Sequence, residues 1–342
     1  MTTTALTSAV RPVAVYGAGG HTGRFVLAEL QRRGLPAVAV GRSAALQPAG
    51  LPARTAGIGD PHALDAAFAG CAVVINCAGP FLDTAGPVIV AALRAGASYI
   101  DVTAEQASAL EVFERFDAPA RAAGVAVVPA AGFYGGLADV LATALLGADA
   151  AGVDLSVAVA LDRWWPTAGT RKTGERNTVP RLVVEGGRLV ALPLPAAESS
   201  RHFGAPHGEQ ATIALPFSEV ITISRHLPVR RLQSWLTRAS LDEIRDASTP
   251  APAATDALGR SAQRFEMVVE ARRGDTLRTA VARGQDIYAV SAPLVVEAAL
   301  RLMQPGAARH GALALGQAVD ARDFLHALAP LHLAVELSGA AG

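Results

Sequence analysis

Gly17, Gly20 and Gly23 recur every third position in VYGAGGHTGR, residues 15–24. A glycine-rich turn between an apolar run and a helix cradles a phosphate. The spacing G-x-G-x-x-G would take Gly17 and Gly19 and then need a glycine at 22, where this chain has Thr22. The spacing that fits is G-x-x-G-x-x-G. In such a loop the first glycine allows the tight turn and the second lets the backbone approach a pyrophosphate. The third lets helix and sheet pack closely. His21 and Thr22 add donors beside the free N–H groups of the helix start. The next apolar run ends in Gly41-Arg42-Ser43. An acid at that point would bond a ribose 2′-hydroxyl, whereas an arginine and a hydroxyl suit a 2′-phosphate. Arg42 and Ser43 therefore predict NADP rather than NAD. In NCAGPF (76–81), the small residues Ala78, Gly79 and Pro80 would let the nicotinamide ribose and ring lie against the chain.

Such a cofactor supplies hydride, so the protein must position an acceptor and provide a proton. Tyr134, just past a strand end, is a candidate proton donor or substrate anchor. Asp101 and Glu105 follow another strand end and are candidates to orient a substrate amine. DRWWPTAGTRKTGERN (162–177) joins two aromatic faces to a run of cations. That loop is expected to cover the nicotinamide and grip an acidic or aromatic substrate through Trp164, Trp165 and Arg171. The candidate catalytic set is Tyr134, Lys172 and Glu105. The competing structural readings are a packed tyrosine, acids that cap a helix, and a tryptophan pair between domains.

Several chemistries are excluded. Lys172 is the sole lysine and residue 168 is alanine, so no Tyr-x-x-x-Lys proton relay exists. G-x-S-x-G and a Walker lysine are absent. His202, His207 and His226 lack metal-ligand spacing, so no metal is expected.

The elements that must place these residues alternate from 12 to 130. Apolar strands are read at 12–17, 37–42, 72–79, 98–102 and 125–132. Helices are read at 21–34, 60–70, 86–96 and 104–124, the last with a break before Pro119. Asp60 caps the second helix and Pro61 fills its first turn. Near-continuous apolar strands alternating with helices indicate a doubly wound parallel sheet of Rossmann type. Ligands of such sheets sit at the strand carboxyl ends. Beyond 150, strands at 153–162, 181–192, 211–217, 219–226 and a hairpin over 264–284 are interrupted by a helix at 234–247. They indicate a second, α+β domain built on an antiparallel sheet. Residues 246–259 read as a mobile loop, and 286–303 as a returning helix.

With 51% hydrophobic and 18% charged residues and a net charge of +0, nothing broad attracts nucleic acid or a membrane surface. Cys71 and Cys77, if on one extended strand, lie about 20 Å apart, too far for a disulfide. The first residues lack a signal-peptide pattern and no long uncharged apolar run is present. A cytoplasmic location is expected.

YGAGGHTGR, INCAGPF with GPVIVAALRAGASYIDVTAEQ, VVPAAGFYGGLAD, and GQDIYAVSAPLVVEAALRLM with HGALALGQAVDARDFLHAL together resemble the saccharopine dehydrogenase-like NADP-binding superfamily, including its trans-acting enoyl reductase branch. The likeness covers 12–140 and 285–327. Ala104 stands where that family often has glycine, and Tyr134 where it often has aspartate. The resemblance implies a Rossmann domain over 1–135 and 285–342, with an α+β substrate and dimerisation domain inserted at 136–284. It also implies NADP-linked reduction of a C=C or C=N bond, less readily C=O, in a small-molecule substrate and, by family analogy alone, a role in biosynthesis. A non-catalytic NADP-binding partner protein and a redox-neutral dehydratase or cyclase are the alternatives. Open strand edges predict a homodimer.

Overall fold

The computed structural model describes residues 10–43, 50–176, 178–304, 306 and 309–338. Its first half winds as β1 (Val13–Tyr16), α1 (His21–Arg32), β2 (Ala37–Gly41), β3 (Ala53–Thr55), α2 (Pro61–Phe68), β4 (Val73–Asn76), α3 (Phe81–Arg94), β5 (Ser98–Asp101), α4 (Gln106–Ala123) and β6 (Ala126–Val128). These strands, joined late in the chain by β15 (Gly311–Ala312), form one parallel sheet in the order β15-β6-β5-β4-β1-β2-β3. Val13 and Val15 enter one core while Ala14 and Tyr16 enter the other. Burial on both faces explains why the strands carry no polar alternation.

Local chemistry sets the helix limits. The Asp60 carboxylate accepts the Ala63 amide at 2.9 Å, as its capping position predicts. Gly124 ends α4 with a φ of 65°. Two helices differ from expectation. α4 runs unbroken through Pro119, and α3 begins at Phe81, ahead of Pro87. The Glu105 carboxylate holds the first amides of α3, which fixes that earlier start. β3 was not read as a strand, because it is three residues long, at the sheet edge, and largely exposed.

A wide helical turn at Phe133–Leu137 leads into α5 (Ala138–Leu146). Then follow β7 (Asp154–Leu161), α6 (Ala168–Arg176), β8 (Leu182–Glu185), β9 (Arg188–Ala191), β10 (Glu198–His202), β11 (Glu209–Ala214), α7 (Glu219–Ser224), β12 (Arg231–Thr237), α8 (Arg238–Arg245), β13 (Arg264–Arg273) and β14 (Thr276–Gln285). The chain ends with α9 (Ser291–Leu302), β15, α10 (Leu315–Ala318), α11 (Ala321–Leu328) and β16 (Ala334–Ser338).

The second sheet runs β10-β11-β12-β7-β13-β14-β16, with β8 and β9 attached beside β12. It is mixed rather than antiparallel, because β7 and β12 pair in parallel. The long crossover between them, which carries α6 and α7, allows that orientation. Residues 219–226, read as a strand, contain α7. Its β-branched run Val-Ile-Thr-Ile is buried against α5 and the wide turn, so packing overrides propensity. Residues 234–247 divide into the end of β12 and α8. The stretch 246–259 is a loop closed on itself by Asp256, which accepts the Leu258 and Arg260 amides. α9 returns to pack on α1, whereas β16, within the segment ascribed to the nucleotide domain, pairs with β14.

Candidate active site

The chain order reverses between β1 and its neighbours β2 and β4, which opens a crevice at their carboxyl ends. Gly17 turns the chain there with a φ of 81°, its amide bonded to the Val40 carbonyl at 2.9 Å. A Cβ on Gly17 would lie 2.9 Å from the Ala78 nitrogen, so only glycine lets the two loops approach. A Cβ on Gly23 would lie 2.3 Å from the Gly17 carbonyl oxygen, so this position fixes α1 against the turn. The amides of the first turn of α1 have no partner further back in the helix. They form the anion-binding end of the cradle.

The loop after β4 is held by Asn76. Its side chain accepts the Ala78 amide at 2.9 Å and donates to Thr84 Oγ1 and the Tyr99 hydroxyl. Thr84 in turn donates to the Ala78 carbonyl at 2.6 Å. Tyr99 donates to Asp101, whose other oxygen accepts the Thr103 and Ala130 amides. Burial raises the Asp101 carboxyl to about 6. Asp101 therefore locks the ends of β5 and β6, and it is not among the residues that line the crevice.

One cavity of about 700 Å³ joins these parts. It runs from Gly17, Gly20, His21 and Thr22 past Arg42 and Ser43, along Ala78, Gly79 and Pro80, to an aromatic end. Arg42 is exposed, and among the described residues no hydrogen bond or ion pair engages its guanidinium. The aromatic end is formed by Phe133, Tyr134, Trp164, Phe217 and Tyr288, with Arg181 beside them. Tyr134 stacks on Phe217 at 4.1 Å between centroids and an interplanar angle of 26°. Its hydroxyl is buried without a hydrogen-bond partner, and burial raises its pKa well above the ordinary value. The His21 ring meets the edges or faces of Phe25 and Tyr288, and burial lowers its pKa. That keeps the imidazole neutral at pH 7.

α6 forms the roof. It has no buried residue, and three ties hold it down. Thr170 bonds the Tyr288 hydroxyl at 3.0 Å, Arg171 donates to the Thr249 carbonyl at 2.7 Å, and Arg176 pairs with Asp83 at 2.5 Å. The roof brings Lys172 and Thr173 to the cavity.

The expected site residues thus separate into groups. The glycine loop, Arg42, Ser43, Ala78, Gly79, Pro80, Tyr134, Trp164 and Lys172 line one space, except that Gly23 sits behind the loop. Glu105 also borders it, yet its carboxylate accepts the Phe81 amide at 2.8 Å and caps α3. Trp165 is half-buried outside the lining, and the Arg171 guanidinium is engaged by backbone carbonyls. Arg181, Phe217 and Tyr288 were not anticipated. Tyr288 lies in GQDIYAVSAP, a segment already set apart by family likeness, whereas nothing local marks Arg181 or Phe217.

Residues 13–128 match the saccharopine dehydrogenase NADP binding domain. Over that stretch the chain is similar to that family. The saccharopine dehydrogenase-type domain accounts for the glycine cradle and for NADP as its cofactor. A saccharopine dehydrogenase-like oxidoreductase from Bos taurus is 29% identical over 143 residues, covering 35% of this chain and 33% of that protein. The chain thus spans about a third of the curated relative it matches. The apo, histidine-tagged saccharopine dehydrogenase (L-Glu forming) of Saccharomyces cerevisiae superposes with a TM-score of 0.65 at 13% identity, over 96% of this chain and 100% of that one. That likeness concerns the fold and extends over both sheets. Among the described residues no cluster of His, Cys, Asp and Glu is arranged to hold a metal, and no helix is long and apolar enough to cross a membrane.

Proposed function

We propose that the protein is an NADPH-dependent reductase of a C=C or C=N bond, with C=O a lesser candidate, in a small or medium-sized metabolite. The carrying observation is the single cavity that continues from the cofactor cradle into an aromatic chamber. A protein that only sensed NADP would not need that second space. Bound NADPH supplies hydride, whose electron pair makes the new C–H bond. The π pair of the substrate moves to the neighbouring atom, which takes up a proton. Tyr134 holds that atom in this reading, which its position in the cavity lining and its buried, unpartnered hydroxyl support. Its proton is replaced from water. Gly79 and Pro80 would support the nicotinamide end of the cofactor opposite Lys172 and Thr173, and Arg42 with Ser43 would take the 2′-phosphate.

Calorimetry with NADP⁺ and NADPH, followed by NADPH consumption against a panel of enones, enoates and imines, tests this reading. Binding and stoichiometric consumption of NADPH are expected. Tyr134→Phe should lower the rate by about 10²- to 10⁴-fold, the range of general acid catalysis. Failure to bind either form would overturn the proposal, and product formation without NADPH loss would point to redox-neutral chemistry. The outer edge of β9, where Leu189 and Val190 are exposed, supports a homodimer, which sedimentation velocity checks.

A further inference from the structure

The chamber carries a cation that the protein does not neutralise by an ion pair. Arg181 precedes β8, and its guanidinium lies 4.8 Å from the Phe217 ring centroid. One nitrogen donates to the Pro216 carbonyl at 2.5 Å. Among the described residues no other hydrogen bond engages this guanidinium, and no carboxylate lies within ion-pair distance of it. Glu219 is the carboxylate whose charge acts on it. One oxygen of that group accepts the Phe217 amide at 2.9 Å, the other is buried without a hydrogen-bond partner, and burial raises its pKa, which weakens the charge it sets against Arg181. Burial lowers the pKa of Arg181 as well, a sign that desolvation of its charge is not fully offset within the protein.

The walls beside this cation are flat. Tyr134 and Phe217 are stacked, and the Trp164 ring centroid lies 6.0 Å from Tyr134. The indole N–H is satisfied by Tyr288 at 3.0 Å, so Trp164 offers the chamber only its ring. The Tyr134 hydroxyl is the opposite case. Tyr134 is 8% exposed, lines the cavity, and has a polar atom with no bond. Lys172, also without a hydrogen bond or ion pair among the described residues, adds positive charge from the roof.

We infer that the substrate is a planar, conjugated acid whose flat body lies among Tyr134, Trp164 and Phe217 and whose carboxylate is read by Arg181. This rests on the reductase reading and narrows it to a substrate class. A guanidinium donates a forked pair of charge-assisted bonds to a carboxylate, which no amide or ester reproduces. An aliphatic acid would reach the cation but leave the aromatic walls unused.

The test is competition on the full chain saturated with NADP⁺, with trans-cinnamate, cinnamamide and hexanoate as probes, read by tryptophan fluorescence and calorimetry. Cinnamate is expected to bind at least about tenfold more tightly than either of the others, one charged hydrogen bond's worth of discrimination. Arg181→Gln should abolish the preference of acid over amide and leave NADP⁺ affinity within about twofold, whereas Arg181→Lys should retain part of the preference. Equal binding of cinnamate and cinnamamide by the unaltered protein would overturn the inference, even if the variants failed to fold. An unchanged preference in Arg181→Gln would do the same. NADP⁺ binding in the same titrations separates the two claims. If it persists while the preference is absent, the substrate class is wrong and the reductase reading stands; if NADP⁺ does not bind, both fall.

Discussion

At the scale of single residues, exposure and pairing divide Arg42 from Asp101. Arg42 is exposed and unpaired by any acid among the described residues, so it is available to a phosphate. Arg42→Asp removes those bonds and adds repulsion. NADPH affinity should fall by roughly 10- to 100-fold, since hydrogen bonds to charged groups contribute about 1.5–3 kcal/mol, while NADH affinity changes little. Parallel titrations with both cofactors decide it, and an equal effect on the two would remove Arg42 from the 2′-phosphate. Asp101 is fully buried and its pKa is raised from 3.8 to about 6, mainly by desolvation. The folded state therefore holds the proton more tightly than the unfolded chain. This contribution to stability is fully present below about pH 3.8 and is lost as pH rises through about 6, with a limit near 3 kcal/mol. Asp101→Asn cannot titrate. The stability advantage of the parent over this variant should shrink between about pH 4 and 6 and level off above about pH 7. Urea unfolding across that range measures it, and a difference independent of pH would refute the assignment.

Helices and strands carry the placement of the site, and here the sequence was legible in part. β1, β2, β4, β5 and β6 could be read because each is built around apolar residues that are buried on both faces. The phosphate turn could be read because Gly17 takes a positive φ and Gly23 lies against the Gly17 carbonyl, requirements set within a few residues. α7 was misread because Val220, Ile221, Thr222 and Ile223 have strand propensity, and only contact with α5 makes a helix of them. Arg181, Phe217 and Tyr288 could not be read because they come from separate parts of the chain and meet only in the folded chamber. α1 illustrates how such placement is secured. Arg33 bridges Glu29 of its own helix and Glu297 of α9, and Glu297 also pairs with Arg301. Both glutamates are under 10% exposed. Arg33→Ala would leave them served by Arg32 and Arg301, with the His332 ring 3.6 Å from Glu29. A loss of about 2 kcal/mol is expected, less than for a buried charge stripped of every partner. Chemical denaturation reads this directly; a change below about 0.5 kcal/mol would mean that apolar packing alone seats α9 on α1.

On the scale of the whole molecule, the two sheets share one hydrophobic core. Val13 and Ile75 of the parallel sheet belong to the same cluster as Val159 and Met267 of the mixed sheet, with Leu294 of α9 among them. α5 packs on β13 and β14, and β16 returns the end of the chain to β14. Neither sheet can lose its partner without exposing apolar surface, so the chain should unfold in a single transition. The cavity makes the same point from the side of function, because its cradle comes from one sheet and part of its aromatic wall and roof from the segments of the other. A ligand bound there stabilises the folded state as a unit. At NADP⁺ about 100 times its dissociation constant, unfolding should become harder by about 2.7 kcal/mol. For a chain of this size that raises the midpoint by about 4 °C. Differential scanning calorimetry should show one peak that moves intact. Two peaks, with NADP⁺ shifting only the first, would mean that the mixed sheet melts on its own and that the chamber is assembled by docking rather than by a common core.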